Sequence, residues 1–200
     1  MRSGMARKRL KKRTESRGRD LIIAFIPAAI LVGLLVYLIS QPVSPTLTTQ
    51  QRTITQGETV PDFTGKVLTP DGLTDRNFAL SEYKGSVIFL DFVFSWCPHC
   101  NNMAPKIKSL YEEFSTKGVR FVTIAGSSRS SPEASAKFLK DHGVTWTAVY
   151  DSDMEIFRKL GVRGTPTYVV VAKDGRIVTK LEGEQPYEVL KFYLQQALGT

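Results

Sequence analysis

Between residues 87 and 93 the chain runs Val-Ile-Phe-Leu-Asp-Phe-Val, apolar at every position but Asp91. A short β-branched and aromatic run of this kind, closed by polar residues, predicts a buried central strand. Beyond it Met103, Ile107, Leu110, Tyr111 and Phe114 recur at three- and four-residue steps, the spacing of a helix with one apolar face. Gly118 stops that helix, and residues 120–125 read as a second strand. Pro132 opens a helix carrying Ala136, Phe138 and Leu139, which ends before Gly143, and a short strand follows at 146–150. Asp153 is placed to cap the next helix, with Ile156, Phe157 and Leu160 on its inner face. Residues 167–172 and 177–181 then form strands joined by the tight turn Lys173-Asp174-Gly175-Arg176. Tyr187, Val189, Leu190, Tyr193, Leu194 and Leu198 line a final helix. Upstream, Pro70-Asp71-Gly72 marks a hairpin turn. The order β-α-β-α-β-α-β-β-α predicts an α/β domain, a central mixed sheet flanked by helices.

A different pattern occupies the start of the chain. Leu21 to Ile39 is nineteen residues without a charge. At ~1.5 Å per residue it reaches about 29 Å, close to the hydrocarbon thickness of a bilayer. It is longer than a signal-peptide apolar region, and Leu38-Ile39-Ser40-Gln41-Pro42 offers no small-x-small cleavage site. Residues 21–39 are therefore expected to be an uncleaved transmembrane anchor in contact with lipid.

Charge sharpens that picture. Nine of the 27 basic residues and two of the 19 acidic ones lie in residues 1–20, leaving 18 against 17 for the rest of the chain. The net charge of +8 thus belongs to the tail, and nothing marks a nucleic-acid-binding face. Basic residues collect on the cytosolic side of a membrane span, and Ser40–Gln56 contains only Arg52. The expected layout is a cytosolic tail (1–20), a single-pass anchor in the cell membrane (21–39), an extracytoplasmic linker (40–57) and an extracytoplasmic domain (58–200).

The only two cysteines, Cys97 and Cys100, sit where the predicted central strand ends and the helix begins. The free N–H groups of a helix start favour an anion, so Cys97 is expected to be a stabilised thiolate. A structural disulfide closing four residues would contribute only ~2 kcal/mol, a poor staple and a serviceable switch. Metal binding would want four ligands, and the remaining candidates are His99 and a distant His142. Haem attachment needs His after the second cysteine, where Asn101 stands. Neither a metal nor an organic cofactor is expected beyond the redox-active pair. Asp91 is a carboxyl inside a core strand, a placement that costs several kcal/mol unless it has a use.

With Trp96-Cys97-Pro98-His99-Cys100 at a strand–helix junction, and Gly164-Thr165-Pro166-Thr167 before a later strand, the chain resembles thioredoxin-fold oxidoreductases over roughly residues 58–199. Val60-Pro61-Asp62-Phe63, the segment Gly161–Thr167 and the anchored layout are similar to membrane-tethered TlpA/ResA-type proteins. The resemblance implies that Cys97 is an exposed nucleophile and Cys100 the buried resolving thiol. Trp96 would shield the site, Pro166 would be a cis-proline facing the cysteines, and Thr165 would bind a substrate strand through its backbone. Asp91 would move the Cys100 proton, and Pro105 would kink the helix. Two positions depart from the pattern: Met103 stands where TlpA/ResA-type proteins carry an acid, and no lysine lies in Val122–Gly126 to pair with Asp91. Pro98-His99 resembles the oxidising DsbA enzymes, and His99 is expected to tune the redox poise by favouring the thiolate.

The implied activity is thiol–disulfide exchange with protein substrates, in either direction, with a membrane protein as electron donor or acceptor. Two other classes fit the same fold. A thiol peroxidase resembling peroxiredoxins would place Thr three residues before the reactive cysteine, where Phe94 stands. The other is a tethered, non-enzymatic metal-chaperone or assembly module.

Overall fold

The computed structural model describes residues 30–37, 40 and 55–199. They belong to two compact units, residues 1–49 and 50–200. In the first, α1 (30–37) is helical with all its side chains exposed, and the Ser40 amide donates to the Val36 carbonyl at 2.8 Å. The expected anchor at 21–39 lies largely outside the described residues. Among the described residues no helix is long and apolar enough to cross a membrane.

The second unit is built on one seven-stranded mixed sheet of order β2-β1-β5-β4-β3-β6-β7. Its strands are β1 (Thr64–Thr69), β2 (Gly72–Ala79), β3 (Ile88–Val93), β4 (Arg120–Gly126), β5 (Thr147–Asp151), β6 (Thr167–Val171) and β7 (Ile177–Glu182). Four helices accompany them: α2 (Pro98–Phe114), α3 (Pro132–Asp141), α4 (Glu155–Lys159) and α5 (Tyr187–Gly199). β3 pairs parallel to β4 and antiparallel to β6, so its six residues are buried from both sides, as its apolar run requires. Alternation along β3 then divides the core. Ile88, Leu90 and Phe92 pack with Ile156, Phe157 and Leu160 around α4. Val87 and Phe89 meet Met103, Ile107 and Leu110 of α2 and Leu190 and Leu194 of α5.

The Pro70–Gly72 turn signal produces the β1–β2 hairpin, and β1 continues the sheet by pairing antiparallel with β5. The Gly57 amide donates to the Ile177 carbonyl at 2.8 Å and Val60 to Gly175 at 2.9 Å, which ties the start of the unit to β7 and the turn before it. One expected cap is displaced. Asp153 does not head α4: Met154 occupies the N-cap with φ 58°, and the buried Asp151 carboxylate accepts the Phe157 amide at 2.9 Å. The Asp153 carboxylate accepts the Glu155 amide, at 3.2 Å. The left-handed turn at Met154 brings the helix start back over the end of β5, within reach of the earlier aspartate.

Candidate active site

Cys97 is the N-cap of α2, with extended backbone (φ −77°, ψ 114°), and Pro98 fills the first helical position, where no N–H is needed. The Cys97 Sγ accepts the Cys100 amide at 3.2 Å and lies 3.5 Å from the Thr165 carbonyl, to which the thiol donates. The Thr165–Pro166 peptide bond is cis. The sulfur of the first cysteine, an amide of the helix start and the backbone before Pro166 are thus brought together.

Exposure corrects one expectation. Cys97 is 3% exposed and Cys100 2%, so the first thiol is as covered as the second. The cover comes from the Thr165 carbonyl, from the close turn of the helix start and from packing with Val93, Ala104 and Ala125. The two thiols are distinguished by surroundings instead. Burial first, then the hydrogen bond with Cys97, push the Cys100 thiol well up. Cys100 therefore needs a base to lose its proton near neutrality.

Asp91 lies on the face of β3 that α2 covers, in register with Thr123 on β4 and Tyr168 on β6. It is buried, its carboxyl makes no hydrogen bond or ion pair with the described residues, and burial pushes that carboxyl up to about 7. Its charge is felt by the Cys100 thiol. The position of a pairing lysine on β4 is filled by Thr123, whose hydroxyl accepts the Trp146 indole N–H at 2.9 Å.

Around the thiols, Trp96 is 42% exposed, with its indole N–H donating to the Ser128 carbonyl at 2.7 Å. Its ring stacks on Phe94 at 5.3 Å, Phe94 stacks on Phe157 at 5.1 Å, and the Arg129 guanidinium sits 3.9 Å from the Trp96 ring. Phe94, three residues before Cys97, thus contributes a packed ring where a peroxidase would carry a hydroxyl. The exposed His99 turns to Glu184, its Nδ1 2.6 Å from Oε1, and Asn102 donates to the same oxygen at 3.1 Å. His99 first, then Asn102, hold the Glu184 carboxyl below its usual range. Among the described residues no group of three or more His, Cys, Asp or Glu side chains could hold a metal ion.

Reading the sequence missed Glu184, Arg129 and Tyr168. Glu184 stands in the polar turn Gly183-Glu184-Gln185-Pro186, whose only signal is a turn. Tyr168 reads as one more residue of a core strand, since register between strands is not visible in the chain.

Two thiols on a strand–helix junction, facing the backbone before a cis-proline on the neighbouring strand, define a thioredoxin-like dithiol protein. Residues 55–192 match the Redoxin family model, and the chain belongs to that family. It is 30% identical over 124 residues to a thiol-disulfide oxidoreductase ResA of Bacillus cereus, covering 62% of this chain and 70% of that one. It is 26% identical over 145 residues to ResA of Bacillus subtilis, covering 72% and 76%. Among solved structures it is similar to a Chlorobium tepidum chain assigned as a thiol:disulfide interchange protein DsbE. That likeness has a TM-score of 0.65 and 28% identity, over 74% of this chain and all of that one. The protein is a thiol-disulfide oxidoreductase.

Proposed function

We propose that this oxidoreductase works outside the cytosol on protein substrates, tethered to the cell membrane by residues 21–39 with residues 1–20 in the cytosol. The observation that carries the exchange reading is the amide of Cys100 aimed at the Cys97 sulfur at 3.2 Å, a hydrogen bond that strengthens when that sulfur is charged. Cys97 is the attacking group. Its thiolate displaces one sulfur of a substrate disulfide and forms a mixed disulfide. Cys100 then gives its proton to Asp91 and attacks the Cys97 sulfur. This forms the Cys97–Cys100 bond and releases the second substrate thiolate. Run in reverse, the same steps donate a disulfide.

Because Cys97 is covered, a substrate must displace part of that cover. The exposed part of Trp96 and the backbone at Thr165 and Pro166 form the surface on which an extended substrate segment lies. Pro98 and His99 tune the redox poise from the first turn of α2. The redox-active dithiol serves without a further cofactor, and its electrons pass to or from a membrane protein partner.

Replacing each cysteine tests the roles. Cys97→Ala is expected to abolish exchange, whereas Cys100→Ala retains the first step and accumulates mixed disulfides, separable on a non-reducing gel. Finding trapped mixed disulfides on Cys100 in the Cys97→Ala protein would reverse the assignment.

A further inference from the structure

The Tyr168 hydroxyl is a buried side-chain oxygen with no hydrogen-bond partner among the described residues. The residue is fully buried, and its ring stacks on Phe89 at 5.7 Å. That packing explains an aromatic ring, but it does not explain a hydroxyl. A phenylalanine would fill the same space without the cost of desolvating an O–H that bonds to nothing.

The surroundings of the hydroxyl supply a reason for it. Tyr168 is the direct cross-strand neighbour of Asp91, and side chains in such a pair project from the same face of the sheet. On the other side of Asp91, Thr123 is already engaged by Trp146. The Thr123 hydroxyl accepts there and keeps its own proton, and the Tyr168 O–H is a further donor on the Asp91 face, without a partner in the resting protein. The charges that reach it are those of Asp91, Cys100, Cys97 and Glu184, with Asp91 the largest. All four carry or acquire negative charge, so the hydroxyl lies in the field of groups that ionise.

We infer that Tyr168 donates its O–H to the negative charge that passes between Cys100 and Asp91 during resolution of the mixed disulfide, and so acts as a positioning residue for that step. The inference rests on the exchange reading above. Where Cys100 and Asp91 both hold protons, neither offers the hydroxyl an anion; Asp91 supplies one when it releases its proton to solvent. As the Cys100 S–H proton moves to the Asp91 carboxylate, the electron pair left on the Cys100 sulfur attacks the Cys97 sulfur and expels the substrate thiolate. Throughout that transfer one negative charge sits on the Asp91–Cys100 pair in a buried site. A donor unsatisfied at rest and satisfied only while that charge exists lowers the barrier without tightening the ground state. Tyr168 thereby occupies the functional place left by the missing lysine on β4.

The test uses the full chain in detergent micelles with 5,5′-dithiobis(2-nitrobenzoate) as the disulfide. Each protein molecule releases two coloured thiolates. The first comes from attack by Cys97, the second from attack by Cys100 on the mixed disulfide. Tyr168→Phe is expected to leave the first phase unchanged and slow the second at least tenfold, with a melting temperature equal to or above that of the parent. In the parent, the second phase should accelerate as pH rises through about 7, where Asp91 titrates. In Tyr168→Phe that midpoint should move upward. Glu184, held below its usual range, stays ionised across this window and does not produce the effect. Equal second-phase rates in the two proteins, or a fall in melting temperature on losing the hydroxyl, would overturn the role of Tyr168. Absence of the first phase in the parent would instead overturn the exchange reading.

Discussion

A carboxyl buried without a partner leaves a signature in stability. Asp91 is raised from 3.8 to about 7 by desolvation, so the folded protein holds its proton where the unfolded chain has released it. The native state therefore keeps its full advantage below about pH 4, loses it progressively between pH 4 and pH 7, and stays at the lower level above. At ~1.4 kcal/mol per unit, the loss is on the order of 4 kcal/mol. Asp91→Asn should remove that slope. Chemical denaturation is expected to find it more stable than the parent at pH 8 and nearly equal at pH 4, while its exchange is slower. A parent whose stability is flat between pH 4 and pH 7 would show the carboxyl to be solvated. His99 offers a second residue-scale test. His99→Ala removes an imidazole from the helix start and leaves the Glu184 charge uncompensated there, and both changes disfavour the Cys97 thiolate. Because the thiolate exists only in the reduced form, the reduction potential should fall by a few tens of millivolts, where ~30 mV is about 1.4 kcal/mol. Equilibration with glutathione buffers reads it directly. At this scale strand pattern and spacing singled out Cys97, Cys100 and Asp91, and Pro166 came only from the family resemblance. The sequence hid Glu184 and Tyr168, whose importance arises only from what folding sets beside them.

Elements were legible where a period ran unbroken, as in β3 and α2, and less so where a single turn decides the geometry. Asp153 precedes α4 and reads as its cap, yet one left-handed residue at Met154 hands that task to Asp151. Gly126 is a similar case, in the sequence only the residue that follows the strand at 120–125. In the fold a Cβ there would stand 2.5 Å from the Phe94 ring and 2.9 Å from both Met154 and Phe157. The glycine is what lets the Phe94–Trp96 stack close over the end of β4. Gly126→Ala should destabilise the domain by about 1–3 kcal/mol, the range for overpacked cores. It should also shift Trp96 fluorescence, because the stack must give. An unchanged melting midpoint and spectrum would mean that the rings slide aside freely.

At the scale of the molecule, the basic tail and the uncharged segment at 21–39 argue for one orientation. A reporter fused after Thr200 should be active only outside the cytosol, and protease added to intact spheroplasts should release a fragment beginning near residues 41–57. A domain protected in spheroplasts and cleaved in inside-out vesicles would reverse the topology. The α/β class and the β3–α2 junction were readable from the chain alone. The sheet order was not, because the pairing of β1 with β5 joins residues far apart in sequence. That pairing has a consequence for how the protein is made. Val67 faces Val149, 82 residues later. In the proposed topology a chain delivered outward from residue 40 onward presents the β1–β2 hairpin first, and at ~5–20 residues per second the strand it docks on follows several seconds later. Through that interval the hairpin has an unpaired edge, the kind of template on which chains associate wrongly. Newly exported molecules should thus pass through a brief window in which an extracytoplasmic holding factor, recognising open strand edges, improves the yield of folded protein.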